Sequence, residues 1–411
     1  MAVSLDARPR SAPAPAHKLN NFHTASQGRV ASTKDLTPKQ LDDLLRKVLP
    51  SLHFSETYQW DARIHGIVVR LVTNSAHQAD FWQENWWPAP NDDSVQPQAF
   101  IYSVTGVPGM DAHAYYCPDR DTSVFVNTEY YGQCKSWALG MAAKLLEQRF
   151  HTHSIHGACG IVAGRGVVII APTGTGKTTQ VNRLFQHPEG KVCGDDWIYI
   201  RHPPPGQEQG FHFEVVQPER RLYVRTENAK EERWLEPIFD RCKLENVVED
   251  PAKCLHEKGE PCGIKDEGKP HCYWGFANAR AILPREWMLG PHKVADRAPM
   301  DLIVLLRRDH ESPAEVALDP DQAIAVLKEG RTMIRPGAGP KEQWGKFGSE
   351  PWYNPYLLQP DHAAQERFFR AEMKHAKCII INTGAPGESI QRTRDRILGH
   401  LLGPAAQPEG A

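Results

Sequence analysis

No stretch of this 411-residue chain approaches the eighteen or so consecutive apolar residues of a membrane-spanning helix, and its N-terminus carries no apolar core of a secretory signal. Both absences lead us to expect a soluble, cytoplasmic protein. Charge of one sign is also lacking, since 48 Lys and Arg stand against 50 Asp and Glu for a net of −2. Bulk electrostatics therefore points neither to nucleic acid nor to a membrane surface, and any anion must be bound locally. The nine cysteines are scattered, odd in number and without Cys-x-x-Cys, which argues for reduced thiols and against a disulfide scaffold. Internal repeats are absent too.

What is present is a phosphate loop. The apolar run Gly166-Val-Val-Ile-Ile170 leads into Ala171-Pro-Thr-Gly-Thr-Gly-Lys-Thr-Thr179, and a helix is expected over 178–185. In such a strand–loop–helix, small residues turn successive backbone N–H groups toward one point, and the helix N-terminus adds positive partial charge. Thr173, Gly174, Thr175, Gly176, Lys177, Thr178 and Thr179 are the residues expected around the phosphates. Lys177 would reach the β- and γ-phosphates and Thr178 would place its hydroxyl on a divalent metal. Ala171 stands where the pattern has its first glycine. Beyond the loop helix, Asp195 and Asp196 follow a short apolar stretch, and two adjacent carboxylates suit a hard divalent cation.

Residues 1–35 are rich in Pro, Ala, Ser and basic side chains and are expected to form a disordered arm. A small α+β domain is expected over 36–124. It opens on the capping box Thr37-Pro-Lys-Gln40, continues through a strand at 64–72 and a helix at 74–87 with a core cluster of Trp82, Trp86 and Trp87, and has strands at 99–104 and 123–127. The nucleotide-binding domain is expected over 125–403, with 404–411 as a tail. Its helix at 136–150 would leave Tyr130, Gly132 and Lys135 just before its start, and a hairpin from 151 would deliver His156 near the nucleotide. Strands are expected at 211–216, 222–224, 301–306 and 377–382, and helices at 231–240, 320–327 and 390–402. The charged stretch 248–270 reads as an exposed hairpin or loop. Cys254, His256, Cys262, His271 and Cys272 fall in or beside it, but their spacings match no standard pair of zinc-ligand hooks.

From about residue 128 to 400 the motifs resemble those of ATP-dependent phosphoenolpyruvate carboxykinase, in the same order. Thr128-Glu-Tyr-Tyr-Gly-Gln-Cys-Lys135, Ile155-His-Gly-Ala, the phosphate loop and Gly194-Asp-Asp196 each resemble a family segment. So do Leu244-Glu-Asn-Val-Val-Glu-Asp250, Asn278-Ala-Arg280, Ile381-Asn-Thr-Gly384 and Ser389-Ile-Gln-Arg-Thr-Arg394. The resemblance implies a mixed-sheet α/β phosphate-loop domain of the carboxykinase and HPr-kinase kind, using ATP and Mg²⁺, with Mn²⁺ as a second cation. It places Lys177 on the phosphates, Thr178 and Asp196 on Mg²⁺, and His156 with Asp196 on the second metal. Arg280 would face the transferred phosphoryl group and Thr393 the adenine.

Two departures bear on the substrate. Where the family has two lysines, the second a metal ligand, this chain has Lys135-Ser136, so that the second-metal site lacks a ligand unless Lys135 supplies it. A further lysine is replaced by arginine around Arg220 and Arg221, which can bind an anion but cannot act as a neutral base. The family's Gly-Arg-Ser-Pro-Lys-Asp stretch has only a loose echo in Gly28-Arg-Val-Ala-Ser-Thr-Lys-Asp35, and residues 64–87 look more like the leading domain of HPr-kinase-related proteins. The expected activity is phosphoryl transfer from ATP, with oxaloacetate as the acceptor precursor. A kinase acting on a small-molecule or protein hydroxyl, with one of Asp195 and Asp196 as base, is the alternative. A nucleotide-binding regulatory module without turnover is the third reading.

Overall fold

The computed structural model describes residues 21–22, 28–92, 94–172, 175–204, 206–207, 211–256, 260–334, 341–343 and 345–403. Thr173, Gly174, most of the expected N-terminal arm and the tail 404–411 lie outside the described residues. The fold is mixed α/β, as expected. Contacts divide it into two units, one of residues 1–142 with 219–284, the other of 143–218 with 285–411. This differs from a single boundary near residue 125, because the chain leaves the first unit, returns to it for 66 residues and leaves again.

The first unit holds a seven-stranded sheet built between Ala31–Thr33 and Thr122–Val126. Its strand Tyr58–Ile64 was not foreseen. It pairs antiparallel with Ile67–Thr73 across the turn His65-Gly66, whose φ values of 47° and 95° suit a tight hairpin. Helix Pro38–Val48 starts as the capping box requires, with the Thr37 hydroxyl accepting from the Gln40 N–H, and it buries Leu41, Leu44 and Val48. Helix Ala76–Asn85 carries Trp82, which packs edge-on against the equally buried Trp86 at 5.7 Å, while Trp87 is exposed. Residues 28–35 are not a loose arm. Ala31–Thr33 adds a parallel strand beside His113–Cys117, and Val30 exchanges hydrogen bonds of 2.8 and 3.2 Å with the Gln133 amide.

The helix expected from Ser136 begins at Tyr131, so Gly132 and Lys135 lie inside it. The cause is a remote cap: the Glu245 carboxylate accepts the Tyr131 N–H at 2.7 Å, satisfying a helix-end donor that no neighbouring residue serves. The helix expected over 231–240 is instead a 3₁₀ turn, Arg233–Leu235, and one α turn, Glu236–Phe239. Pro237 has no N–H to continue a helix started upstream.

The second unit is centred on a six-stranded sheet. Arg165–Ile170 lies between Gly157–Val162, antiparallel, and Leu302–Arg307, parallel; Lys377–Asn382 lies parallel beyond that. The three parallel strands carry nearly continuous runs of Val, Ile and Leu because both faces are covered. Strand Thr152–Ile155 belongs to a separate four-stranded sheet with Ile198–Arg201, Glu214–Val216 and Arg297–Pro299. His156 therefore sits at the one-residue step where the chain passes from one sheet to the other. At Gly166 a Cβ would lie 1.7 Å from the Pro299 carbonyl oxygen, a contact with backbone that cannot swing aside. Gly166→Ala is expected to destabilise the second unit by about 1–3 kcal/mol or more, read as a lower midpoint in chemical denaturation.

Candidate functional site

The loop begins where the buried strand Arg165–Ile170 ends, and Ala171 and Pro172 continue it under cover. Thr175 closes the turn, its N–H donating to the Pro172 carbonyl at 3.3 Å. Gly176 then takes φ 110°, a conformation that a side chain would strain, and helix Lys177–Phe185 follows. The helix thus starts one residue earlier than expected. Its first N–H groups have no partners within the helix, which makes its N-terminus suited to phosphate. Thr178 and Thr179 are half-buried at that end.

Three side chains from separate segments meet there. The Lys177 ammonium donates to His156 Nε2 at 2.7 Å, and Asp196 Oδ1 is 3.4 Å from the same nitrogen. His156 Nδ1–H donates to the Tyr353 carbonyl at 2.9 Å, which fixes the tautomer and leaves the Nε2 lone pair for a cation. Burial, and then the Lys177 charge, hold the His156 pKa below its ordinary value, so the ring stays neutral. That carbonyl is delivered by unusual backbone, since Trp352 and Tyr353 have φ of 62° and 50°. Left-handed conformations at two bulky residues are costly and persist only where the surroundings impose them. A metal at His156 Nε2 and the Lys177 ammonium exclude each other. The lysine must move off before the nitrogen can coordinate.

Sequence reasoning missed Glu350. Its Oε1 is buried without a hydrogen-bond partner among the described residues, and burial raises its pKa to about 7 although Lys177 draws it down. A carboxyl poised near neutrality is suited to take a proton from a substrate. The only hint in the sequence is the apolar flank of Trp352 and Tyr353.

Beside the loop is a cleft lined by Pro172, Thr175, Arg307, Arg308, Arg331 and Phe347, with Arg331 over the Phe347 ring at 4.1 Å. The Ile381–Gly384 motif reaches this place. Asn382 bonds to the Asp309 N–H and to the carbonyls of Asp309 and Ser312, and Thr383 then donates to the Thr175 carbonyl at 3.3 Å. Ser389 caps helix Ile390–Leu402, whose first carbonyl accepts from Gln180 of the loop helix. Thr393 is buried on that helix and donates to Glu388 Oε1 at 2.9 Å. Asp195 is half-buried next to Asp196.

Lys135 and Arg280 belong to the first unit, where the remaining resembling segments converge on one another. Lys135 is buried and its ammonium contacts both oxygens of Glu219, at 3.0 and 3.2 Å, so it serves as an ion-pair partner there. Ser136 donates to the Gly132 carbonyl and accepts from Arg29, which brings the Gly28–Asp35 echo against this helix. Arg280 lies opposite Glu245 in the strand register, donates to the carbonyls of Ala277 and Ala279, and has its guanidinium 5.9 Å from the Tyr223 ring centre. Glu245 accepts from His77, Tyr131 and Tyr223. Arg221 is engaged by Glu84 and Arg220 by the Trp87 ring. No protein-family model matches the chain. Among the described residues, no helix is long and apolar enough to cross a membrane.

Proposed function

We infer that the second unit binds ATP with a divalent cation and transfers its γ-phosphoryl group. The observation that supports this best is the meeting of Lys177, His156 and Asp196 at the N-terminus of the loop helix, from three segments that share no secondary-structure element. Nucleotide binding alone needs the loop and its lysine. It does not need a buried neutral imidazole with its lone pair aimed beside a carboxylate.

The donors fit the cations that the resemblance implies. Thr178 and Asp196 offer oxygen to Mg²⁺, and His156 with Asp196 offers the mixed nitrogen and oxygen set that suits Mn²⁺. When bound, a cation would neutralise charge on the phosphate oxygens. Lys177 leaves His156 for the phosphates, and the helix N-terminus holds them. In the carboxykinase reaction oxaloacetate loses CO₂, and the enolate oxygen takes the γ-phosphoryl group to give phosphoenolpyruvate and ADP.

One pair of observations favours a hydroxyl acceptor instead. Lys135 is committed to Glu219 rather than standing as a neutral amine, and Glu350 supplies a carboxyl near neutrality that lies within the influence of the Lys177 charge. In that reading Glu350, or one of Asp195 and Asp196, accepts the hydroxyl proton as the oxygen attacks phosphorus.

The deciding assay runs the purified chain backwards with phosphoenolpyruvate, ADP and labelled bicarbonate, in Mg²⁺ with and without Mn²⁺. Label in oxaloacetate is the carboxykinase outcome. No label, together with acceptor-dependent ADP release from ATP that falls about 10²–10⁴-fold in Glu350→Gln, is the hydroxyl-kinase outcome. ATP binding without ADP release, for any acceptor tried, would leave a regulatory module and sink the phosphotransferase reading.

A further inference from the structure

In the first unit, between Val248 and Gly275, the described residues form no strand or helix beyond the single 3₁₀ turn Pro251–Lys253 and the isolated bridge Val248–Cys272. Such a stretch needs something other than a core of its own to hold its shape. Four side chains converge inside it. Cys254 Sγ is 3.6 Å from Cys262 Sγ, Cys272 Sγ is 3.5 Å from His256 Nε2, and the four ligand atoms all lie within 4.8 Å of one another.

We propose that Cys254, His256, Cys262 and Cys272 form a structural zinc site. Tetrahedral zinc, with Zn–S of about 2.3 Å and Zn–N of about 2.0–2.1 Å, sets its sulfurs about 3.8 Å apart and each sulfur about 3.6 Å from the nitrogen. The Cys254–Cys262 and Cys272–His256 separations are within about 0.2 Å of those values. A disulfide would need its sulfurs about 2.05 Å apart. Three soft thiolates and one imidazole select zinc over magnesium or manganese, and four protein ligands close the shell, which makes the site structural rather than catalytic.

The surroundings fit bound thiolates. The Gly263 N–H donates to Cys272 Sγ at 3.4 Å. Asp266 accepts the Cys262 N–H at 2.6 Å and so fixes that turn. Gly275 is required, because a Cβ there would lie 2.8 Å from Cys254 Sγ and compress the cluster. Cys262 and Cys272 are buried, while Cys254 and His256 are half-buried and leave a way in for the ion. A second cluster, His153, His202 and Glu372, is a poorer cation site. Both ring nitrogens of His153 are already within hydrogen-bond distance of acceptors, Glu372 and Gln365.

The zinc site does not rest on the phosphotransferase reading, since it uses none of the same residues. The test is the zinc content of the full chain purified without chelator, followed by replacement with Co²⁺. About one zinc per chain and the intense visible d–d bands of tetrahedral cobalt, with sulfur-to-metal charge transfer, are expected. Cys262→Ser and Cys272→Ser should each weaken the site by more than the 10–100-fold typical of an outer-shell change. Should these variants fail to fold, cobalt titration of the unaltered chain still decides. Substoichiometric zinc without a tetrahedral cobalt spectrum, undiminished zinc affinity in both folded variants, or a Cys254–Cys262 disulfide under non-reducing mass spectrometry would each overturn the proposal.

Discussion

Lys177→Ala is expected to lower the proposed ATP-dependent turnover by at least about 10²–10³-fold, the loss that follows when a preorganised charge on the transferred group is removed. The fold should survive, because His156 keeps its hydrogen bond to the Tyr353 carbonyl and the strand under the loop is held on both sides. Thermal unfolding and circular dichroism close to those of the parent chain establish that. A second readout separates a chemical role from a structural one. Lys177 is one of the causes holding the His156 pKa down, after burial, so its removal should raise that pKa, measurable by NMR titration of the ring. Unchanged turnover in a folded variant whose His156 titration has moved would show that the loop lysine does not act on phosphate, and the proposed activity would fall with it.

The parts legible in the sequence are those specified locally. Thr37 and Gln40 cap their helix as their spacing implies, strand Lys377–Asn382 and helix Ile390–Leu402 fall on the expected residues, and the apolar run before Ala171 becomes the central strand. Periodicity and caps act within a few residues and leave their mark there. The misses have remote causes. Tyr131 starts its helix on a carboxylate 114 positions away, and Glu350 owes its pKa to burial and to Lys177 from another segment. The cysteine cluster is not legible in the sequence, because Cys254, Cys262 and Cys272 lack the short paired spacing of common zinc hooks. The bridge between Val248 and Cys272 and the close approach of the four side chains come from the three-dimensional fold rather than from spacing. Helix His362–Glu372 was also overlooked, although Asp361 caps it.

Glu372→Ala in that helix should cost the second unit about 3–5 kcal/mol, the range for removing one partner of a buried ion pair. For a unit of its size this corresponds to about 6–20 °C in melting temperature. Glu372 Oε1 accepts from His153 Nδ1 at 2.7 Å and from His202 Nε2 at 2.8 Å. The far nitrogen of His153 is 3.0 Å from Gln365 Oε1, and the Gln365 amide is oriented by donating its NH₂ to Glu147 at 2.9 Å. Two acceptors face the two His153 nitrogens, so the ring is an imidazolium. Burial would lower the His153 pKa, but Glu372, Glu147 and Gln365 together outweigh it and the net shift is upward. Burial likewise opposes ionisation of Glu372, and His153 and His202 together outweigh it, so that pKa falls. The His153 contribution is therefore complete below its unfolded pKa of about 6.5 and is lost as pH rises through the raised folded value. The Glu372 contribution is complete above its unfolded pKa of about 4.3 and is lost as pH falls through the lowered folded value. Both hold together between about pH 4.3 and 6.5, where this pair should stabilise the unit most. Glu372→Gln keeps an acceptor but not the charge, so it should lose less stability than alanine and flatten the decline on the alkaline side. An alkaline decline as steep in Glu372→Gln as in the parent chain would mean that the His153 imidazolium is not held by this carboxylate.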